Sequence, residues 1–215
     1  MQEESSFSLS IFQDANEQIK YFSNTSRNLM DNSVNSIFAF LEKRYRVQIK
    51  TYISGTHVYD WIVPEREKHV SGIKLTSMGA LKIGDLSFPG DTKKTLLFCC
   101  YLDKASDESL VGLTVVLKLI ETLQSKDQLY TYRFAFLQNS VGYAAYLSAF
   151  YSNNIQEAIH LTDTNINVLQ SGHNPLAKNQ LNTLSFKNTV LVNPREVDLL
   201  QFINGYQEKN ILLSI

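Results

Sequence analysis

The chain is 215 residues long and short of the residues that most readily announce a function. It has two cysteines, Cys99 and Cys100, and they are neighbours. Adjacent cysteines rarely pair, so a disulfide framework is excluded and a reducing cytoplasm is the expected setting. It has four histidines, His57, His69, His160 and His173, and any metal or acid–base site must draw on these or do without histidine. Nine glycines and four prolines leave no collagen-like or low-complexity stretch. No apolar run approaches the roughly 20 residues that a membrane-spanning helix needs. The start, MQEESSFSLSIF, is acidic and polar, unlike a secretory signal. Charge of one sign is missing as well. Twenty basic residues stand against 21 acidic ones, a formal net charge of −1, with no block of either sign. That excludes the basic footprint of a nucleic-acid binder and the polybasic patch of a protein drawn to anionic lipid.

What is present is an ordinary globular composition, 44% hydrophobic and 19% charged. The length suits one large domain. Residues 1–10 read as a flexible tail and 11–215 as a single domain, with no internal repeat and no linker. A weak helical pattern runs from Ile11 to about Phe22. A clearer helix begins at Asp31 or Asn32, where Val34, Ile37, Phe38, Leu41 and Tyr45 make one continuous face. VQIKTYIS and HVYDWIV alternate apolar and polar residues and predict strands on either side of Ser54–Gly55, broken at Pro64 and the charged EREK run. Short strands are predicted near Gly72–Thr76 and Leu81–Phe88, ending at the turn dipeptide Pro89–Gly90.

The centre of the chain carries the strongest pattern. TLLFCC (Thr95–Cys100) is an apolar run of strand length, the mark of a strand buried on both faces. A helix is predicted from about Asp107 to Gln124, with Leu113, Val116, Leu117, Ile120 and Leu123 inward and Lys118 and Glu121 in water. YRFAFLQ (Tyr132–Gln138) is a second buried-type strand, Tyr143–Tyr151 a second helix and AIHLT (Ala158–Thr162) a third strand. Strand, helix, strand, helix, strand with short connections is the pattern of parallel strands joined by right-handed crossovers. Ligands in such sheets collect at the C-terminal strand ends, here Cys99–Glu108, Gln138–Gly142 and Asp163–Asn167. Further on, QSGHNPLAKNQ reads as a loop, Leu181–Val192 as a hairpin, Arg195–Gly205 as a helix and Ile211–Ile215 as a closing strand.

Several segments in order resemble the bacterial aminopeptidase-like zinc exopeptidases of the MH clan, in particular a branch often encoded beside polysaccharide genes. SRNLMDNSVNSIFAFLEKR is similar to that branch's first helix. SGTHVYDWIVPEREK (Ser54–Lys68) is similar to its Gly-Thr-x-Val-Phe-Asp-Trp-x-Val-Pro segment, and GDLSFPGDTKKTLLF to the hairpin and strand before its metal site. SLVGLTVVLKLIETL and YTYRFAFLQNSVGYAAYLS resemble the helix after the bridging aspartate and the strand and helix that carry the catalytic glutamate. The resemblance covers roughly residues 25–165. It implies an α/β fold with a mixed, mainly parallel central sheet, helices on both faces and a zinc-aminopeptidase-like (phosphorylase/hydrolase-like) core. It also implies a chain considerably shorter than its relatives.

The chemistry implied by the family is peptide hydrolysis by zinc-activated water with a glutamate as general base. Carried over position by position, most of it is lost. Cys99 falls where the first ligand histidine belongs, followed by Cys100 and Tyr101. A thiolate can bind zinc, but a buried cysteine is also a small hydrophobe. Glu108, or Asp107 beside it, falls at the bridging aspartate, where a helix N-terminus alone would favour an acid. Asn139 falls at the general base, and an amide cannot accept a proton from zinc-bound water. Ser140 takes the neighbouring ligand position. Asp163 in HLTDTN falls at a further ligand, though Asp-Thr-Asn is also a turn composition. SGHNPL with His173 is similar to the final ligand motif but follows Asp163 too closely. His57 and His69 read as surface residues.

The expectation is therefore a catalytically degenerate aminopeptidase-like protein, leaning towards a pseudoenzyme. Its ligand pocket would be lined by Cys99, Tyr101, Glu108, Asn139, Ser140 and Asp163. It would bind a peptide-like or small polar ligand, or a partner protein or second copy, with no nucleic acid and no membrane. No cofactor is expected. Zinc enters only in the alternative reading, a divergent zinc-dependent aminopeptidase or hydrolase using Cys99, Glu108 and Asp163. A third reading makes Cys99 or Cys100 a nucleophile, with His160 or His173 as base, since a helix N-terminus lowers a thiol pKa. Tyr130, Tyr132, Tyr143, Tyr146 and Tyr151 either form an interaction face or pack against the sheet.

Overall fold

A computed structural model describes residues 32–59, 61–70, 73–102, 107–124, 127–150, 154–161 and 188–192. Helix α1 (Asn32–Tyr45) forms where the apolar spacing predicts it, and Val34, Ile37, Phe38, Leu41 and Tyr45 are all buried. It ends at Arg46, whose φ of 58° lies in the left-handed region. The Arg46 and Val47 amides there donate to the Glu42 and Leu41 carbonyls, so the last helical carbonyls keep partners.

Strand β1 (Gln48–Ile53) follows, then the two-residue strands β2 (His57–Val58) and β3 (Trp61–Ile62). HVYDWIV is thus a tight hairpin and not one strand. Tyr59 sits at its turn with φ 53°, a conformation that reverses the chain inside the alternating pattern. The charged run after Pro64 is also a strand: β4 (Arg66–Val70) pairs with β5 (Ile73–Ser77) in a separate two-stranded ribbon. Such a ribbon needs no apolar run, which is why charge alone misread it.

The main sheet is built from β1, β6 (Ala80–Phe88), β7 (Thr95–Tyr101), β8 (Thr131–Leu137), β9 (Ile155–Leu161) and β10 (Asn188–Val192), in the order β1-β6-β8-β7-β9-β10. β1/β6 and β6/β8 are antiparallel, while β8/β7, β7/β9 and β9/β10 are parallel. The mixed, mainly parallel sheet inferred from the sequence is therefore observed. Residues 188–192 join it as a parallel strand beside β9, where a hairpin was expected.

Two helices connect the parallel strands, α2 (Asp107–Leu123) and α3 (Asn139–Phe150). Side chains alternate across the sheet. Leu96, Phe98 and Cys100 of β7 face α1 and α2, together with Tyr132, Phe134 and Phe136 of β8. Leu97, Cys99 and Tyr101 face α3, with Ala135, Leu137 and Ala158. Helices thus cover both faces, and each large side chain buried between layers stabilises the fold by about 1.5–3 kcal/mol. Of the tyrosines read either as an interaction face or as packing against the sheet, Tyr130, Tyr132, Tyr143 and Tyr146 are buried in these layers; Tyr151 lies outside the described residues. Glu121 does not simply face water either: its carboxylate accepts from the Tyr45 hydroxyl at 2.9 Å, tying α2 to α1.

One buried charge is fully paired. Asp85 on β6 receives Arg133 Nε at 2.6 Å and Nη2 at 3.0 Å from β8, and the Tyr146 hydroxyl at 2.5 Å from α3. Arg133 Nη1 also donates to the Phe150 carbonyl at the end of α3. The network clamps the last turn of that helix to the sheet, and its satisfied geometry is what makes a buried carboxylate tolerable. The residues proposed from sequence for the first weak helix, the C-terminal helix and the closing strand lie outside the described residues.

Candidate functional site

The C-terminal ends of β7, β8 and β9 lie side by side, with Tyr101 opposite Leu137 and Cys100 opposite Leu161. Helices α2 and α3 start just beyond β7 and β8. The fold thus brings Cys99–Leu102 next to Gln138–Gly142, at the sheet end where parallel strands carry their ligands.

Within it, the sequence-derived residues take distinct places. Cys99 is not at the strand end but two residues inside β7, fully buried on the α3 face. Burial, and then the neighbouring Cys100, push its thiol well above the ordinary range. Cys100 points to the opposite face, where burial raises its thiol to about 12. Both are free thiols. Neither is poised as the thiolate that the nucleophile reading requires. Tyr101 closes β7 and is nearly buried. Glu108 is the second residue of α2. Asn139 and Ser140 open α3, which begins four residues earlier than the sequence predicts, directly after β8. The junction is held by Gln138, buried, whose Oε1 accepts from the Lys82 amide at 2.6 Å, and by the Gly142 amide on the Gln138 carbonyl. Asp163 and His173 lie outside the described residues, and His57 is exposed, as expected.

The residue that sequence reading undervalued is His160. It is the next-to-last residue of β9, in register with Cys99, and 2% exposed. The Tyr101 hydroxyl and its Nδ1 are 2.8 Å apart, 59 residues separated in the chain. The two rings stack with centroids 5.9 Å apart, and the Tyr143 ring meets the imidazole edge-on at 5.0 Å. Its Nε2 is buried and has no hydrogen-bond partner among the described residues. Burial alone lowers its pKa to about 4, so the ring is neutral at neutral pH. Burial, and then the neighbouring Cys99, raise the Tyr143 phenol well above its usual range. The signal available in sequence was a lone imidazole in an otherwise apolar strand, AIHL, which must find a partner once buried.

Among the described residues, no three His, Cys, Asp or Glu side chains converge in a way that could hold a metal ion. No helix there is long and apolar enough to cross a membrane.

Compared with solved structures, the chain is similar to a candidate peptidase from Clostridium acetobutylicum (TM-score 0.56, 16% identity, 71% of this chain and 58% of that one). It is also similar to an aminopeptidase from Aneurinibacillus sp. strain AM-1 (TM-score 0.51, 9% identity, 70% of this chain and 69% of that one). At these identities the likeness is one of fold, and it establishes an aminopeptidase-like α/β architecture. The match spans under two thirds of the Clostridium protein. No curated protein matches the chain. A family model does match, over residues 17–169, which takes in α1 and everything from there to the end of β9. The chain belongs to the family described as Domain of unknown function (DUF4910).

Proposed function

We propose that this protein uses an aminopeptidase-like scaffold to bind a small polar or peptide-like ligand over the strand ends, without zinc and without hydrolysis. The observation that carries the reading is the state of Cys99. At the position where the resemblance calls for the first metal ligand stands a thiol wholly enclosed in the sheet, protonated, and two residues short of the strand end. A metal bound through that sulfur would have to draw it out of a packed layer and deprotonate it. Cys99 as it stands therefore does not suit a zinc ion. Asn139 supports the same reading, because an amide at the head of α3 has no lone pair basic enough to take a proton from water. The residue types that the sequence sets at these strand ends, hydroxyl, amide and carboxylate, suit recognition by hydrogen bonds.

The test is metal analysis of the full chain purified without chelator and then equilibrated with zinc. Sub-stoichiometric zinc, unchanged in Glu108→Ala, is the expected result. Stoichiometric zinc that Glu108→Ala removes overturns the proposal and favours a divergent metallohydrolase.

A further inference from the structure

The main sheet has β1 at one edge, and among the described residues no strand pairs with its outer side. A free edge invites pairing with another chain, and folded proteins usually blunt it with proline, a bulge or several charges. β1 is barely defended in this way. It has no proline, its register against β6 runs unbroken from Gln48 to Ile53, and Lys50 is its single charge. That ammonium lies over the Tyr52 ring, 5.4 Å from its centre, on a face of the sheet. Exposed apolar surface collects at the same edge. Among the described residues, the large hydrophobic side chains more than half exposed are Ile53, Ile62 and Met78. All three stand within two residues of groups that meet at Ser54, whose hydroxyl donates to the Pro64 carbonyl at 2.9 Å and whose amide donates to the Gly79 carbonyl at 3.1 Å. Apolar surface gathered at one end of a free edge marks a contact site.

We propose that β1 pairs antiparallel with β1 of a second copy of this chain, about a two-fold axis at Thr51, joining the two main sheets into one. The backbone sets the bonds. The Ser54 amide points to Gly79 on the β6 side, so alternation turns Gln48, Lys50 and Tyr52 towards β6 and Ile49, Thr51 and Ile53 outwards. With the axis at Thr51, that residue exchanges two N–H···O bonds with Thr51 of the partner subunit. On either side the Ile53 amide donates to the carbonyl of Ile49 of the partner subunit. The Ile53 carbonyl already accepts from the Thr56 amide within its own turn. The side chains set the register. Ile49 packs against the layer of α1 and α2, and Tyr52 against that of α3, so Thr51 and Ile53 share the first face and Lys50 the second. The exposed Ile53 then meets Ile49 of the partner subunit, and Lys50 meets Tyr52, the ring type it already overlies within one chain. A slip that centres the axis on Lys50 sets two ammoniums directly opposite each other, which is unfavourable. A slip to Tyr52 sets Ile53 against Thr51 and loses the apolar pair. Both copies use the same edge, so the assembly closes at a dimer.

The experiment is sedimentation velocity of the full chain from about 10 to 500 µM, a high range because so short an edge makes a small interface. The expected result is a monomer–dimer equilibrium, about fivefold weaker in Thr51→Lys at low salt and partly restored by added salt. Thr51→Pro removes an outward amide and no bond to β6, and is expected to leave monomer throughout. Single cysteines read the register, since the native Cys99 and Cys100 are buried. On mild oxidation Thr51→Cys is expected to cross-link to its own copy, and Lys50→Cys is not, because that pair lies on a diagonal about 7–8 Å long. A parent chain that stays monomeric over the whole range overturns the proposal, and so does assembly beyond the dimer. An equilibrium that Thr51→Lys leaves unchanged, or faster cross-linking in Lys50→Cys, overturns it equally. If Thr51→Pro does not fold, Thr51→Lys carries the test, since position 51 is exposed.

Discussion

Protonating His160 would place an unpaired charge inside the face of the sheet that α3 covers. Its pKa in the folded chain, about 4, lies below the usual 6.5. Between those values the unfolded chain takes up a proton that the native chain refuses. Stability therefore rises with pH across that window, is complete above 6.5 and is lost as pH falls towards 4. The full contribution is on the order of 3 kcal/mol. Urea midpoints at pH about 5 and about 7 should differ clearly in the parent and much less in His160→Phe. Equal acid sensitivity in the two would show that the imidazole is not the group responsible. Sequence made the burial of this residue readable, because AIHL is apolar on both sides of it. Its partner was not readable, because Tyr101 reaches it across 59 residues. Cys99 shows the converse. Its placement near a strand end followed from the resemblance, whereas its complete enclosure depends on α3 starting at Asn139 and packing directly over it.

Among the elements, local pattern succeeded where both faces of a strand are buried. TLLFCC, YRFAFLQ and AIHLT all became parallel strands, because short, mainly apolar runs bounded by turn residues suit a strand covered on both faces. It failed where one or two backbone angles decide the path. The turn at Tyr59 divides HVYDWIV into two strands, and the β4–β5 ribbon assembles from a charged run. The loop before β7 shows how tightly some connections are determined. A Cβ on Gly90 would run into the Tyr130 carbonyl and crowd the Gln128 carbonyl, while the Asp91 and Thr92 amides bind the Gln128 and Leu129 carbonyls. Because the obstacle is backbone, Gly90→Ala is expected to cost about 2–3 kcal/mol. At Gly55, φ is +86° but the space around it is open, so Gly55→Ala should cost only the conformational penalty, about 1 kcal/mol. Thermal unfolding of the two variants checks the order. A Gly55→Ala variant less stable than Gly90→Ala would contradict the described packing of the loop.

For the molecule as a whole, the order β1-β6-β8-β7-β9-β10 puts three parallel strand ends together and carries two antiparallel strands on one flank. The parallel half was legible because its helices and strands alternate. The position of β6 between β1 and β8 was not, since nothing local in GDLSFPG specifies which neighbours it pairs with. The aminopeptidase-like architecture that results explains why the family segments stand in order along the chain, and a fold of this kind can keep its crevice while its chemistry changes. The central claim is that this crevice binds and does not hydrolyse. Its most direct test is turnover of a series of aminoacyl p-nitroanilides by the full chain in zinc-supplemented buffer. The account predicts rates equal to the protein-free blank, unaltered by chelator and by Asp163→Asn; turnover above the blank that chelator abolishes and Asp163→Asn loses would contradict it.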